Sequence, residues 1–178
     1  MTIPPIASTE IFTVTALSPE LAAMLCTWRY DPPFDFYNWS SWEVMLQLGI
    51  EFGDEYIRDK QYAAVLDQKG TFVGFAQFFP LLDVTRIGLG LRPDLCGNGL
   101  GLPMVKAIVS EALRRSPSDE IDLEVHVWNL RAIRTYEQAD FIITDTYPKR
   151  TADGLVDVHC MTYTPQPPAE QLNESFNP

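Results

Sequence analysis

The residues of this chain best placed to do chemistry lie in one short run, Cys96-Gly-Asn-Gly-Leu-Gly101. The run joins an expected strand to an expected helix. Its main-chain N–H groups and the helix dipole therefore converge on one spot, which should attract an anion such as a pyrophosphate. Three glycines let that anion approach the backbone closely. Two better-known phosphate loops do not fit. A Walker loop needs Gly-Lys-Ser/Thr, which is absent, and GxGxxG started at Gly97 or Gly99 would need glycine where Leu102 or Met104 stands. Taken alone, the run could also be a glycine turn that merely reverses the chain.

Metal and thiol chemistry has less to work with. Cys26, Cys96 and Cys160 are widely spaced without a CxxC, and two histidines accompany them. The reading is reduced thiols, a cytoplasmic setting and no metal. His159 and Cys160 are neighbours on one expected strand and point to opposite faces, which argues against a cysteine nucleophile.

The elements that must position the glycine run follow from periodicity. Ser18-Pro19-Glu20 supplies an N-cap, an N1 proline and an acid ahead of Leu21, Met24, Leu25 and Trp28, so a first helix starts there. A second short helix is expected from Ser41 to Leu48, with a loop from Trp28 to Trp42 between them. Tyr62 to Leu66, the turn Asp67 to Gly70, and Thr71 to Phe79 read as a β-hairpin. Val84 to Leu91 is a third strand, ending at Pro93. Leu102, Val105, Ile108, Val109, Ala112 and Leu113 then repeat at helical spacing until Ser116-Pro117. Ile121 to Val127 alternates as a half-buried strand, Asn129 caps a helix carrying Ala132, Ile133 and Tyr136, and strands from Phe141 to Tyr147 and Leu155 to Tyr163 follow. The order predicts an α/β (α+β) fold: a mixed, mostly antiparallel central sheet with helices on both faces.

Length and composition agree with one folded, soluble domain. The chain has 178 residues, 46% of them hydrophobic, enough to bury a core. The domain is placed at residues 1–164 and a proline-rich polar tail at 165–178. Net charge is −11 and the pI is near 4.5, against nucleic-acid binding, which needs a cationic surface. The first residues lack a positive n-region and an apolar core, so export is not expected. The most apolar stretch, Phe72 to Leu82, is too short to span a membrane.

The surroundings of the glycine run carry a resemblance. Leu89-Gly-Leu91-Arg-Pro93-Asp-Leu-Cys-Gly97-Asn-Gly99-Leu-Gly101, followed by a long amphipathic helix, resembles the acetyl-coenzyme A signature of the GNAT superfamily of N-acetyltransferases. Leu123-Glu-Val125, then Asn129, Ala132, Tyr136 and Phe141, resembles the second signature of that family. The resemblance is close from about Val84 to Thr144. It implies acetyl transfer from acetyl-coenzyme A to a primary amine, with Leu89, Gly90, Leu91, Cys96, Gly97, Asn98, Gly99, Leu100, Gly101 and Asn129 holding the cofactor. A non-catalytic acyl-coenzyme A sensor or partner-binding module is the alternative. Two positions depart from the pattern. Cys96 stands where the family has Arg or Gln, and Asp140 where it has glycine; aspartate tolerates the left-handed conformation expected there.

Charge distribution fits this placement. Residues 1–85 carry 4 basic and 11 acidic groups, residues 86–134 carry 7 and 6, and residues 135–178 carry 2 and 7. Arg86, Arg92, Lys106, Arg131 and Arg134 are candidates to meet coenzyme A phosphates; a solvated surface charge is the other reading of each.

An acceptor amine must be neutral to attack, and at pKa about 10.4 an alkylamine is about one part in a thousand neutral near pH 7.4. A general base lowers that barrier. Glu124 is the first candidate, on the strand that the resemblance places beside the thioester, with His126 and Asp83 in reserve. Tyr136 is the candidate acid for the departing thiolate. For the acceptor, Trp28, Tyr30, Phe34, Phe36, Tyr37, Trp39 and Trp42 gather 7 of 21 aromatics in 15 residues, and residues 31–59 hold seven acids with Arg58 their one base. An aromatic, acidic rim suits a cationic amine. Trp28, Tyr30, Phe34 and Tyr37 are its candidate contacts, and a small-molecule amine or a protein amino group is the expected partner. A loop folded over the core, or a homodimer contact, is the competing reading.

Overall fold

The computed structural model describes residues 11–151 and 154–165; the proline-rich tail from residue 166 lies outside them. Among the described residues, seven strands and five α-helices give the α/β class with a mixed sheet. The chain divides into two compact units, residues 1–121 and 122–178.

The first unit is built on four antiparallel strands in sequence order: β1 (Phe12–Ala16), β2 (Tyr62–Asp67), β3 (Phe72–Leu81) and β4 (Val84–Leu91). The β2–β3 turn closes as its chemistry demands. Asp67 Oδ1 accepts from the N–H groups of Lys69 and Thr71, and Gly70 takes a φ of 78°. One face of this sheet carries α1 (Pro19–Leu25), α2 (Trp42–Leu48) and α3 (Glu55–Gln61). Ser18, Ser41 and Asp54 cap them with side-chain oxygens. Leu25, Met45, Phe52, Tyr62, Ala64 and Phe75 form the core on that side.

The other face is covered by α4 (Gly101–Arg115), whose Met104, Val105, Ile108, Val109 and Ala112 are buried. A Cβ on Gly74 would meet the Met104 sulfur, and Arg115 lies over the Phe78 ring at 4.2 Å. Each large apolar side chain buried in this way contributes roughly 1.5–3 kcal/mol. Alternation therefore assigns Ala63, Val65, Ala76 and Phe78 to α4 and Tyr62, Ala64 and Phe75 to the α1–α3 side.

The second unit contains β5 (Glu120–His126, from Asp122 onward), α5 (Leu130–Gln138), β6 (Phe141–Thr151) and β7 (Gly154–Tyr163). β7 pairs antiparallel with both β5 and β6. Asn129 Oδ1 accepts from Ala132 N–H to start α5, and Asp140 ends the turn after it with a φ of 65°. The aspartate thus takes the left-handed conformation for which the family pattern uses glycine.

Two elements have no counterpart in the sequence reading. β1 alternates Phe12, Val14 and Ala16 against two threonines but over only five residues, too short a run to stand out, and α3 is charged on most of its surface, with Arg58 among its buried side chains. β6 and β7 also run further than expected, to Thr151 and from Gly154.

Candidate active site

The glycine run does two things in the structure. Pro93–Leu95 forms one 3-10 turn, and Cys96 N–H donates to the Pro93 carbonyl. Gly97 and Gly99 then take φ values of 84° and 76°, a region that costs other residues energy. Among the described residues, no protein acceptor takes the main-chain N–H groups of Gly97, Asn98, Gly99, Leu100 or Gly101. Leu100, the residue before α4, supplies no side-chain cap, and the first turn holds no acid. A 15-residue helix thus begins with its positive end and a series of donors unsatisfied by protein. Cys96 turns its thiol back toward the Leu91 and Arg92 carbonyls, 3.7 Å from each, and so away from the glycines that follow it. Asn98 Nδ2 donates to the Leu95 carbonyl, which holds the loop in shape.

β4 leads into this run. Arg92 N–H donates to the Val73 carbonyl at 2.8 Å, so by the alternation of an antiparallel ladder Leu89 and Leu91 point their amide groups away from β3. The Leu91 carbonyl accepts from the Tyr30 hydroxyl at 2.8 Å. Tyr30 is held in turn by Asn38, whose Oδ1 accepts from Tyr30 N–H at 2.7 Å. A Cβ on Gly90 would stand 3.0 Å from that hydroxyl and closer still to the Phe75 ring. Gly90 is therefore glycine because two aromatic side chains cross over it. Burial raises the Tyr30 phenol well above its ordinary value, so it acts as a neutral donor.

The other acceptor candidates separate. Tyr37 meets Tyr30 edge-on at 6.3 Å and is 40% exposed, with Phe34 half-buried nearby in sequence. Trp28 instead packs in the core against Phe72, with ring centroids 4.8 Å apart. Of the four, it is the one sealed from solvent.

In the second unit, Glu124 and Tyr136 lie on opposite faces of the strands. Glu124 is level with Cys160, and His126 with Val158 and Tyr147. Tyr147 Oη donates to Glu124 Oε1 at 2.5 Å, and Lys149 Nζ pairs with Glu124 Oε2. Leu123, Met161 and Phe141 belong to the other face, where α5 packs and the Tyr136 ring lies 6.1 Å from Phe141. His126 is held below its ordinary value, first by burial and then by the Lys149 charge. Asp83 sits exposed at the tip of the β3–β4 hairpin, its carbonyl accepting from Glu120 N–H.

Residues 21–141 match the model of the Acetyltransferase (GNAT) family. The chain belongs to that family.

Solved structures similar to this acetyltransferase have its fold. A chimeric spermidine N-acetyltransferase from Vibrio cholerae and hSSAT superposes with a TM-score of 0.68 at 16% identity, over 85% of this chain and 94% of that one. A spermidine/spermine N-acetyltransferase from Vibrio cholerae in complex with manganese ions gives 0.64 at 18%, over 85% and 91%. The dodecameric spermidine N-acetyltransferase of the same organism in an intermediate state gives 0.64 at 16%, over 85% and 92%.

The basic side chains of the acetyltransferase behave unequally. Arg92 forms a two-pronged pair with Asp94 (Nε–Oδ1 2.7 Å, NH2–Oδ2 3.0 Å) and donates to the Phe72 carbonyl, so it braces the loop. Lys106, Arg131 and Arg134 are exposed and Arg86 is half-buried. Asn129 is buried, its Oδ1 committed to the α5 cap.

Sequence reasoning missed Tyr147 and Lys149. They are two positions apart on β6, and only the register through β7 brings them to Glu124. No motif signals that pairing.

Proposed function

We propose that the enzyme moves an acetyl group from acetyl-coenzyme A to a primary amine, either a small cationic amine or a protein amino group. The observation that carries this reading is the set of main-chain donors from Gly97 to Gly101, unclaimed by protein, at the uncapped start of α4. Such a set suits a diphosphate. Leu89, Gly90, Leu91, Cys96, Gly97, Asn98, Gly99, Leu100, Gly101 and Asn129 would line the binding track. When bound, acetyl-coenzyme A supplies an activated thioester open to direct attack by an amine nitrogen.

The protein's part is to orient, to polarise and to move protons. Amides of Leu89 and Leu91 that point away from β3 are suited to polarise a carbonyl beside β4. Glu124 is read as the base that takes the acceptor's proton, and Tyr136 as the acid that gives one to the departing sulfur. Glu124 projects from one face of β5 while Tyr136, on α5, packs toward the other beside Phe141, so the two are read as serving separate proton transfers rather than exchanging a proton with each other. Tyr30, Phe34 and Tyr37, with Trp28 behind them, are read as the acceptor wall. The similarity to spermidine N-acetyltransferases supports a cationic amine, and the dodecamer among them supports self-association, of which a homodimer is the smallest form. We read residues 1–164 as one catalytic domain working in the cytoplasm; among the described residues no helix is long and apolar enough to cross a membrane.

Calorimetry with acetyl-coenzyme A and coenzyme A tests the cradle. Thiol release with a panel of polyamines, amino acids, aminoglycosides and peptides tests the transfer. Heat on binding and turnover with at least one amine is the expected result. No heat with either form at millimolar concentration would end the reading, and binding without turnover on any acceptor would favour a sensor.

A further inference from the structure

Glu124 does not stand alone on its face. The period of two on β6 sends Tyr147 and Lys149 to one side, and the β5–β7–β6 register carries both toward Glu124. Each carboxylate oxygen receives a different donor: the Tyr147 hydroxyl meets Oε1 at 2.5 Å and the Lys149 ammonium pairs with Oε2. The Glu124 side chain is 11% exposed and that of Lys149 49%. The pair is therefore partly shielded from water, where a neighbouring charge acts more strongly than at an open surface.

We propose that Lys149 is a positioning residue for Glu124, its ammonium setting the pH below which the carboxylate can no longer take the acceptor's proton. The proposal rests on the reading of Glu124 as the base. A positive charge beside a carboxylate favours the ionised form. With Lys149 in place, Glu124 stays a proton acceptor to lower pH, and its orientation is fixed by two donors from one strand. The register brings other titratable groups to this face as well. Asp122 on β5 and Asp145 on β6 are carboxyl groups, and Cys160 on β7 directs its thiol to Asp122 Oδ2 at 3.4 Å. His126 on β5 is disfavoured as a cation by burial and by Lys149 itself.

The test is a carbon-13 titration of glutamate-labelled protein, with the Glu124 resonance assigned by its loss in Glu124→Gln. It is run on wild type, Lys149→Met and Lys149→Arg, beside the pH dependence of kcat/KM for the best-used amine of the panel. The expected result is a Glu124 midpoint about one pH unit higher in K149M, wild-type behaviour restored in K149R, and an acid limb of kcat/KM that moves with the midpoint. A midpoint unmoved in K149M overturns the proposal and leaves the base reading intact. A midpoint that moves while the acid limb stays overturns the base reading instead. Should K149M fail to fold, Lys149→Gln carries the same comparison, and Tyr147→Phe, which keeps the ammonium, should shift the midpoint less than either.

Discussion

The Tyr30 hydroxyl donates to the Leu91 carbonyl at 2.8 Å, tying the aromatic segment to the end of β4 across 61 positions of sequence. That bond sets the segment beside the strand that leads into the glycine run. Tyr30→Ala removes both the bond and the ring that crosses Gly90. The Michaelis constant for amine acceptors should rise by about tenfold, the equivalent of roughly 1.4 kcal/mol, while that for acetyl-coenzyme A changes little. Steady-state kinetics on the two substrates check this, and equal amine constants in the variant and wild type would remove Tyr30 from the acceptor wall.

Gly99→Ala should weaken acetyl-coenzyme A binding more than it weakens the fold. A Cβ there meets nothing within 4 Å, so the cost is the φ of 76°, about 1–2 kcal/mol for a residue other than glycine. If the loop relaxes to relieve it, the donors from Gly97 to Gly101 lose their common aim. Calorimetry should show at least tenfold weaker binding beside a small drop in melting temperature.

Gly90→Ala should behave in the opposite way, as a stability defect. The added carbon would press on the Phe75 ring and the Tyr30 hydroxyl, an overpacking cost of about 1–3 kcal/mol. Urea denaturation would measure it, and unchanged stability would show that the rings can move aside.

Tyr136→Phe isolates the proposed acid. The ring keeps its contact with Phe141 and only the hydroxyl is lost. Turnover should fall by about a hundredfold while acetyl-coenzyme A still binds. Unchanged turnover would take this tyrosine out of the mechanism.

The Cys26 thiol should resist alkylation. Burial pushes it up to about 11, because desolvation disfavours the thiolate. At pH 8 about one thiol in a thousand is then ionised, and only the thiolate reacts. Mass spectrometry after iodoacetamide treatment of native protein should leave Cys26 unlabelled at times when a free thiol is fully modified, with labelling restored on unfolding.

Local physics made most elements legible. Ser18, Ser41 and Asn129 cap helices because a short side-chain oxygen reaches the first free N–H groups, and the Asp67–Gly70 turn closes on its own donors. The glycine run could be read for the same reason, since positive φ at Gly97 and Gly99 and a helix without a cap are properties of a few adjacent residues. α3 escaped notice because its surface is mostly charged and its buried Arg58 breaks the apolar rhythm.

The sequence by itself determined the family signatures, the turn geometry of the glycine run and the alternation within each unbulged stretch of strand, because these depend on neighbours within a few positions. Tertiary structure alone decided that Tyr30 meets Leu91, that Trp28 joins the core, and that Lys149 and Tyr147 hold Glu124. Those contacts depend on strand register and on how a loop packs over a sheet. Both are settled by the burial of distant side chains together, which no local spacing records.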